Sequence, residues 1–318
     1  MQGAGLFFTQ ERLPMKKAKH PAIFWLFLAP VLFAFVVVIV IPFLLGAYYS
    51  FTNWSATARV GDSLKLVGLV NYAGILKDPS FLYSFILTVV YTLFNMIAIN
   101  VVSFGLAMLV TTKLIGRNVY RAGFFIPNLI GGLILGYVWQ FIFNNAVPSL
   151  GTFLGFASWA DPANLLLAGS NTALLAMVVV GTWQYAGYVM VIYVAAIETI
   201  PQEYIEAAKI DGASAFRRLR SITLPLIRQA LTVTLFITLV NSFKQFDVNV
   251  SLTGGGPSAM FMGQPIYGTQ LLAMNIYNQG LKSDDMAGGQ ARAVVFFLVL
   301  VIISVIEVSI NKKKEIEL

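Results

Sequence analysis

Long runs without one formal charge constrain this chain more than anything else in it. Ile23–Ala47, Ser84–Thr111 and Asn171–Ile197 contain no Asp, Glu, Lys or Arg, and each exceeds the roughly 20 residues that carry a helix across a bilayer core. Backbone in hydrocarbon must satisfy its own N–H and C=O groups, so such runs fold as helices. A membrane β-barrel would need ~10-residue stretches of alternating polarity, which the chain does not show. With 58% hydrophobic and only 11% charged residues among 318, there is too little polar surface to cover a water-soluble globule. The expectation is an all-α, polytopic membrane helix bundle.

Three further apolar stretches, Tyr120–Phe143, Pro225–Val250 and Gly288–Ile310, bring the expected transmembrane helices to six. Basic residues cluster in the N-terminal stretch (Lys16, Lys17, Lys19), in the turn with Lys113 and Arg117, in the Glu198–Arg228 loop and in the Lys312–Lys314 tail, whereas Asn144–Ser170 has none. By the positive-inside rule both termini are cytoplasmic. This divides the chain into an N-terminal tail (1–22), one transmembrane domain (23–310) with a cytoplasmic loop at 198–225, and a C-terminal tail (311–318). Met15-Lys16-Lys17 reads as a start, with Met1–Pro14 an extension, and the first apolar run is too long for a signal peptide and is expected to be retained. The net charge of +7 is accounted for by these helix-end clusters, so no nucleic-acid partner is implied.

Cysteine is absent and the only histidine is His20, which removes disulfides, thiolate chemistry and Cys-based metal sites. No Gly-Lys dipeptide occurs, so a phosphate-binding loop of the G-x-x-x-x-G-K-[ST] kind cannot form. Neither an enzyme nor a cofactor site is expected. Lys244 and Asp247 in the fifth span either snorkel or line a wet cavity, while Arg292 and Glu307 in the sixth are expected to snorkel. Asn95 and Asn100 should tie helices together, and Gly131, Gly132 and Gly136 should allow close packing.

The segment from Ile200 to Pro225 reads as two short helices outside the membrane. Pro201 suits the first turn of Gln202–Lys209, Asp211-Gly212 breaks it with Asp211 able to cap the second helix, and Pro225 would open the fifth span. On the residues alone this is either an element inserted into a partner's groove or a solvated loop. Glu206-Ala207-Ala208, then Gly212, then Ile222-x-Leu224-Pro225, resemble at the right spacing the EAA loop of ABC importer permeases. Phe125-Ile126-Pro127, Trp139, Trp183 through Tyr188, Phe246-Asp247 and Leu252-Thr253-Gly254-Gly255-Gly256-Pro257 resemble the carbohydrate-uptake branch, in particular the first permease of maltose-type and glycerol-phosphate-type pairs. Gln229 stands where many relatives have proline, and the large insertion and extra helices of the maltose permease are missing.

The resemblance implies the type I ABC importer permease fold in the bacterial inner membrane and a heteromeric machine. Its partners would be a second permease, two ATP-binding subunits that hold the ATP and Mg, and an extracytoplasmic solute-binding protein delivering a sugar or oligosaccharide. Glu206, Ala207, Ala208, Asp211 and Gly212 would then couple ATP hydrolysis to transport. Aromatic rings stack on sugar faces and amides both donate and accept, so Trp183, Gln184, Tyr185 and Tyr188 on the fourth span and Asn241, Ser242 and Gln245 on the fifth are the candidates for the substrate pathway. The same residues could instead be interface anchors and interhelical hydrogen bonds. A permease for amino acids or peptides is the nearest alternative. An ion-coupled secondary transporter would call for midplane carboxylates, and the first three spans have none.

Overall fold

A computed structural model describes residues 21–57, 63–112 and 115–312. His20, Lys16, Lys17, Lys19 and everything else before Pro21, together with Lys113 and residues 313–318, lie outside the described residues. The chain divides into two units, Met1–Tyr48 and Tyr49–Leu318. The first is a helix, α1 (Phe24–Tyr49), interrupted only by a π-helical turn at Val36–Val40. Its side chains are apolar and nearly all exposed, as befits a helix whose solvent is lipid rather than water.

The second unit contains α2 (Pro79–Val110), α3 (Arg117–Phe125), α4 (Gly132–Phe141), α5 (Ser170–Glu198), the surface helix α6 (Gln202–Ile210), α7 (Arg228–Phe243), α8 (Asp247–Leu252), a hairpin of β1 (Ser258–Phe261) and β2 (Gln264–Tyr267), α9 (Leu272–Tyr277) and α10 (Met286–Lys312), joined by shorter turns. The hairpin departs from the all-helical expectation. It pairs Ser258 with Tyr267 and Phe261 with Gln264, and its Met262-Gly263 turn takes positive φ at both positions, the backbone twist that two-residue hairpins favour.

α2 and α5 run side by side in the same direction and form the spine. Leu87 and Tyr91 meet Leu174, Met177 and Val180 in one buried cluster, while Ile99, Ala107 and Val110 meet Val189, Met190, Tyr193 and Val194 in the next. Asp78 starts α2 by accepting a 2.9 Å hydrogen bond from the Ser80 N–H, with Pro79 in the first turn where no N–H is needed. Apolar side chains gain little by leaving lipid, so polar bonds must discriminate one helix pairing from another. The Asn100 amide donates to Thr238 Oγ1 at 2.8 Å, Tyr193 donates its hydroxyl to Asn100 Oδ1 at 2.6 Å, and Thr234 Oγ1 lies 2.7 Å from the Tyr193 oxygen. Asn95 donates to Ser242 Oγ at 2.8 Å. Both asparagines therefore tie α2 to α7, and Asn100 also ties α2 to α5 through Tyr193.

Among the described residues, four helices are long and apolar enough to cross a membrane unbroken, and two bent pairs complete six if each is counted as one span. The bends correct two expected spans. Tyr120–Phe143 is not one rod, because Arg117–Leu129 and Gly132–Leu154 meet at 98°. Pro225 does not open the fifth span either: Ala215–Leu226 and Arg228–Phe243 meet at 74° around the buried Ile227, and the helix then stops at Phe243 before α8 begins at Asp247.

Arg292 does not snorkel. It is 6% exposed, donates to the carboxylate of Asp78 and to Asn275 Oδ1, and stands over the Phe81 ring at 5.8 Å. Asn275 in turn donates to Ser80 Oγ at 3.1 Å. The guanidinium thus pins α10 and α9 to the first turn of α2. Glu307 is half-buried and accepts from the Asn311 amide. Arg292→Met removes one member of a largely buried pair and strands the other, so it should destabilise the protein by about 3 kcal/mol, the low end for such a loss because Asp78 keeps some exposure. Thermal unfolding of the purified protein measures this, with an unchanged midpoint counting against the clamp.

Candidate functional site

Two regions carry the chemistry-bearing residues. The first is the loop around α6. The helix ends as a Schellman motif, in which Ala213 N–H donates to Ala208 O at 2.9 Å and Gly212 N–H to Lys209 O at 3.0 Å. Gly212 takes φ +76°, which a Cβ would strain. Asp211 is the last residue of this turn and does not cap the next helix. Ser214 does, accepting from Arg217 N–H at 3.3 Å. Ile205 and Ala208 are half-buried, whereas Glu206, Ala207, Asp211 and Gly212 are exposed. Glu206 and Lys209 border a crevice of about 490 Å³ with Arg117, Glu198 and Thr223, where Arg121 holds Glu198 at 2.6 Å. Among the described residues Glu206 has no ion-pair partner. Ile210 and Phe216 stand 87% and 70% exposed beside these groups. Both are on the same loop as the unpaired Glu206.

The second region is the break between α3 and α4. A span interrupted at membrane depth frees backbone groups that hydrocarbon cannot satisfy. Gln184, buried at 6% exposure, donates its amide to the Ile130 carbonyl at 3.2 Å, and Gln140 donates to the Leu252 carbonyl at 3.0 Å where α8 ends. Gln184 is the midpoint of α5, so the break lies near the middle of the membrane domain. Glycines let the pieces close on one another. A Cβ on Gly187 would come 1.7 Å from the Phe124 carbonyl oxygen, one on Gly136 1.8 Å from Ser251 Oγ, and one on Gly132 2.7 Å from the Asp247 Cβ. Gly132-x-x-x-Gly136 therefore faces Asp247-x-x-x-Ser251, a small-residue crossing of α4 on α8. Gly131 meets nothing within 4 Å, and its extended backbone makes the turn itself.

The structure separates the seven pathway candidates. Trp183 is 42% exposed, edge-on to Trp139 at 5.6 Å, and lines an apolar groove with Ala98, Val102, Phe124 and Gly187. Gln184 serves the Ile130 carbonyl and Ser242 accepts from Asn95, both buried. Tyr188 is half-buried against the Val189–Val194 cluster, and Asn241 is half-buried on α7. Tyr185 and Gln245 come together around Tyr91: Gln245 lies beside the Tyr91 hydroxyl, Tyr185 is within electrostatic reach of both Tyr91 and Asp247, and Gly181 leaves room for Tyr91 and Asn95. Tyr91 OH and Asn95 Oδ1 are buried without a hydrogen-bond partner. Tyr91 and Asp247 were not among the candidates. The Phe246-Asp247 charge within an apolar stretch was the available signal for the second, and nothing local marks Tyr91.

The profile described as "Binding-protein-dependent transport system inner membrane component" matches residues 20–314. A probable starch degradation products transport system permease protein from Thermoanaerobacterium thermosulfurigenes is 44% identical over 298 residues, 93% of this chain and 96% of the relative. A multiple sugar-binding transport system permease protein from Streptococcus mutans is 30% identical, covering 92% and 96%. Among solved structures, a bacterial ABC transporter involved in the import of the acidic polysaccharide alginate contains a chain that superposes with TM-score 0.74 at 18% identity, over 92% of this chain and 95% of that one.

Gln184→Met keeps the volume but leaves the Ile130 carbonyl without its donor. An unsatisfied buried acceptor costs about 1–3 kcal/mol, so the variant should unfold at lower temperature. A midpoint equal to the wild type would mean that the break does not depend on this amide.

Proposed function

The chain belongs to the family of binding-protein-dependent transport system inner membrane components, and from that premise we propose that it is a sugar-importing permease subunit that takes its driving force from a separate ATPase. As a permease it is a transport component and not an enzyme. The observation that carries the coupling half of the proposal is the α6 loop, with its unpaired Glu206, its exposed Ala207, Ile210 and Phe216, and the glycine-made bend at Gly212. Two short helices joined at a capped bend can transmit a push from a partner without catalysing anything.

In this scheme Glu206 pairs with a basic group of the ATPase groove, Ala207 and Ala208 permit close approach, and Asp211-Gly212 sets the angle between the short helices. ATP and magnesium stay on two ATP-binding subunits. A second, homologous permease completes the pathway, and an extracytoplasmic binding protein delivers the solute. Starch-derived oligosaccharides are the first substrates to test, since the 44%-identical relative is named for them. The α6 loop faces the cytoplasm with both termini, and the β1–β2 hairpin faces the opposite side. The gathering of Tyr185, Gln245 and Tyr91 at mid-depth supports a weak, hydroxyl-reading sugar site there.

Three outcomes are expected. Affinity purification of the tagged chain from its host should recover a second permease and an ATP-binding subunit, with the latter lost from Glu206→Lys; recovery of the chain alone, indifferent to Glu206, would remove the importer proposal. Gly212→Val should uncouple ATP hydrolysis from uptake in the reconstituted complex, because φ +76° costs a β-branched residue about 1–3 kcal/mol; wild-type uptake would contradict a transmitting role for the bend. Since the chain has no cysteine, an impermeant maleimide applied to spheroplasts should label Gln264→Cys and spare Ile210→Cys, and the reverse pattern would invert the orientation.

A further inference from the structure

Asp247, in the first turn of α8, is a carboxylate packed at the mid-depth break. It packs against Gly132 at the beginning of α4, whose own position is fixed by the Gln184 bond two residues earlier in the chain. Its side chain is exposed, and among the described residues it has neither an ion-pair partner within 4 Å nor a hydrogen bond donated to its carboxylate. The cation nearest to it in the chain does not neutralise it: Lys244 is exposed and lies beyond ion-pair distance, while Arg292 is committed elsewhere, to Asp78 and Asn275. An unpaired carboxylate at membrane depth must face water, because in hydrocarbon its charge is too costly to keep.

Tyr185 lies within electrostatic reach of it, and Gln245, two residues before it in the chain, lies beside the Tyr91 hydroxyl, which Tyr185 also neighbours. Resting on the sugar-importer proposal above, we infer that Asp247 is a specificity-determining residue of the pathway, accepting hydroxyl hydrogen bonds from neutral sugars and turning away sugars that carry a carboxylate. An ionised carboxylate only accepts, and vicinal sugar hydroxyls offer it two donors at its natural spacing. An anionic sugar at the same place brings like charge into a site where water screening is reduced. Tyr185, Gln245 and Tyr91 supply hydroxyl and amide groups that do not distinguish the two classes, so discrimination falls to Asp247.

The test is equilibrium dialysis of the purified, assembled complex with two labelled probes of equal length, a neutral gluco-oligosaccharide and a uronate-containing oligosaccharide. The wild type should bind the neutral probe at least about tenfold more tightly, equivalent to about 1.4 kcal/mol. Asp247→Asn, which keeps size and polarity, should bring the two affinities within about threefold, while the complex still co-elutes and melts at the wild-type temperature. An unchanged ratio in Asp247→Asn overturns the inference, and so does a variant that loses its partner or melts early with the ratio unmoved, since Asp247 would then only cap the α4 and α8 ends. If the wild type binds neither probe, the sugar proposal itself fails and takes this inference with it.

Discussion

A carbonyl released half-way across a membrane has no water to turn to, and most of the inner architecture of this chain answers that constraint. Ile130 needs a donor, and Gln184 at the centre of α5 provides it. Leu252 needs one as well, and Gln140 provides it. Once those bonds are made, Gly132, Gly136 and Gly187 are obliged to be glycine by contact alone, since a Cβ at any of them would meet a neighbour at 1.7–2.7 Å. The break is therefore held open by amides and held together by missing side chains.

The same economy appears in the spine. Lipid would accept the apolar faces of α2, α5 and α7 as readily as they accept each other, so orientation falls to a few polar bonds worth roughly 0.6–2 kcal/mol each. Asn95 and Asn100 lie five residues apart on α2 and reach Ser242 and Thr238, four apart on α7. A register slip of either helix would break both bonds at once. At one end of the unit the Arg292–Asp78–Asn275 clamp does the same for α10 and α9. A spine fixed in this way can move as a body, as the coupling proposed for α6 calls for.

The long uninterrupted helices were legible because charge-free runs above 20 residues admit one solution in a bilayer. The α6 loop was legible because its punctuation is local: Pro201 and Gly212 act within a turn or two of themselves. Even so, Ser214 rather than Asp211 caps the second short helix, a choice between two nearby good capping residues that sequence does not settle. The bend at Ile130-Gly131 was misread although Pro127 and the Gly131-Gly132 pair border it, because both were read for resemblance and packing and the donor that makes the bend tolerable lies 54 residues away. Arg292 was misread for the same reason. Its partner Asp78 is 214 residues distant, so a buried pair looked like an end-of-helix cation. The pathway candidates shared residue type and span but not helical face, and only packing could separate Trp183, in its apolar groove, from Tyr185 beside Asp247.

Ile210 and Phe216 give the subunit a lifetime problem before they give it a function. Side chains 87% and 70% exposed hold back on the order of 2 kcal/mol each that is released only on burial, and until then they are sticky patches on a newly inserted protein. A cell that made this chain faster than its companions would accumulate copies prone to cling to one another or to be cleared by quality-control proteases. Under the docking proposed for this loop, these two side chains would tie the chain's persistence to the supply of its companions, a matter of protein housekeeping rather than of transport.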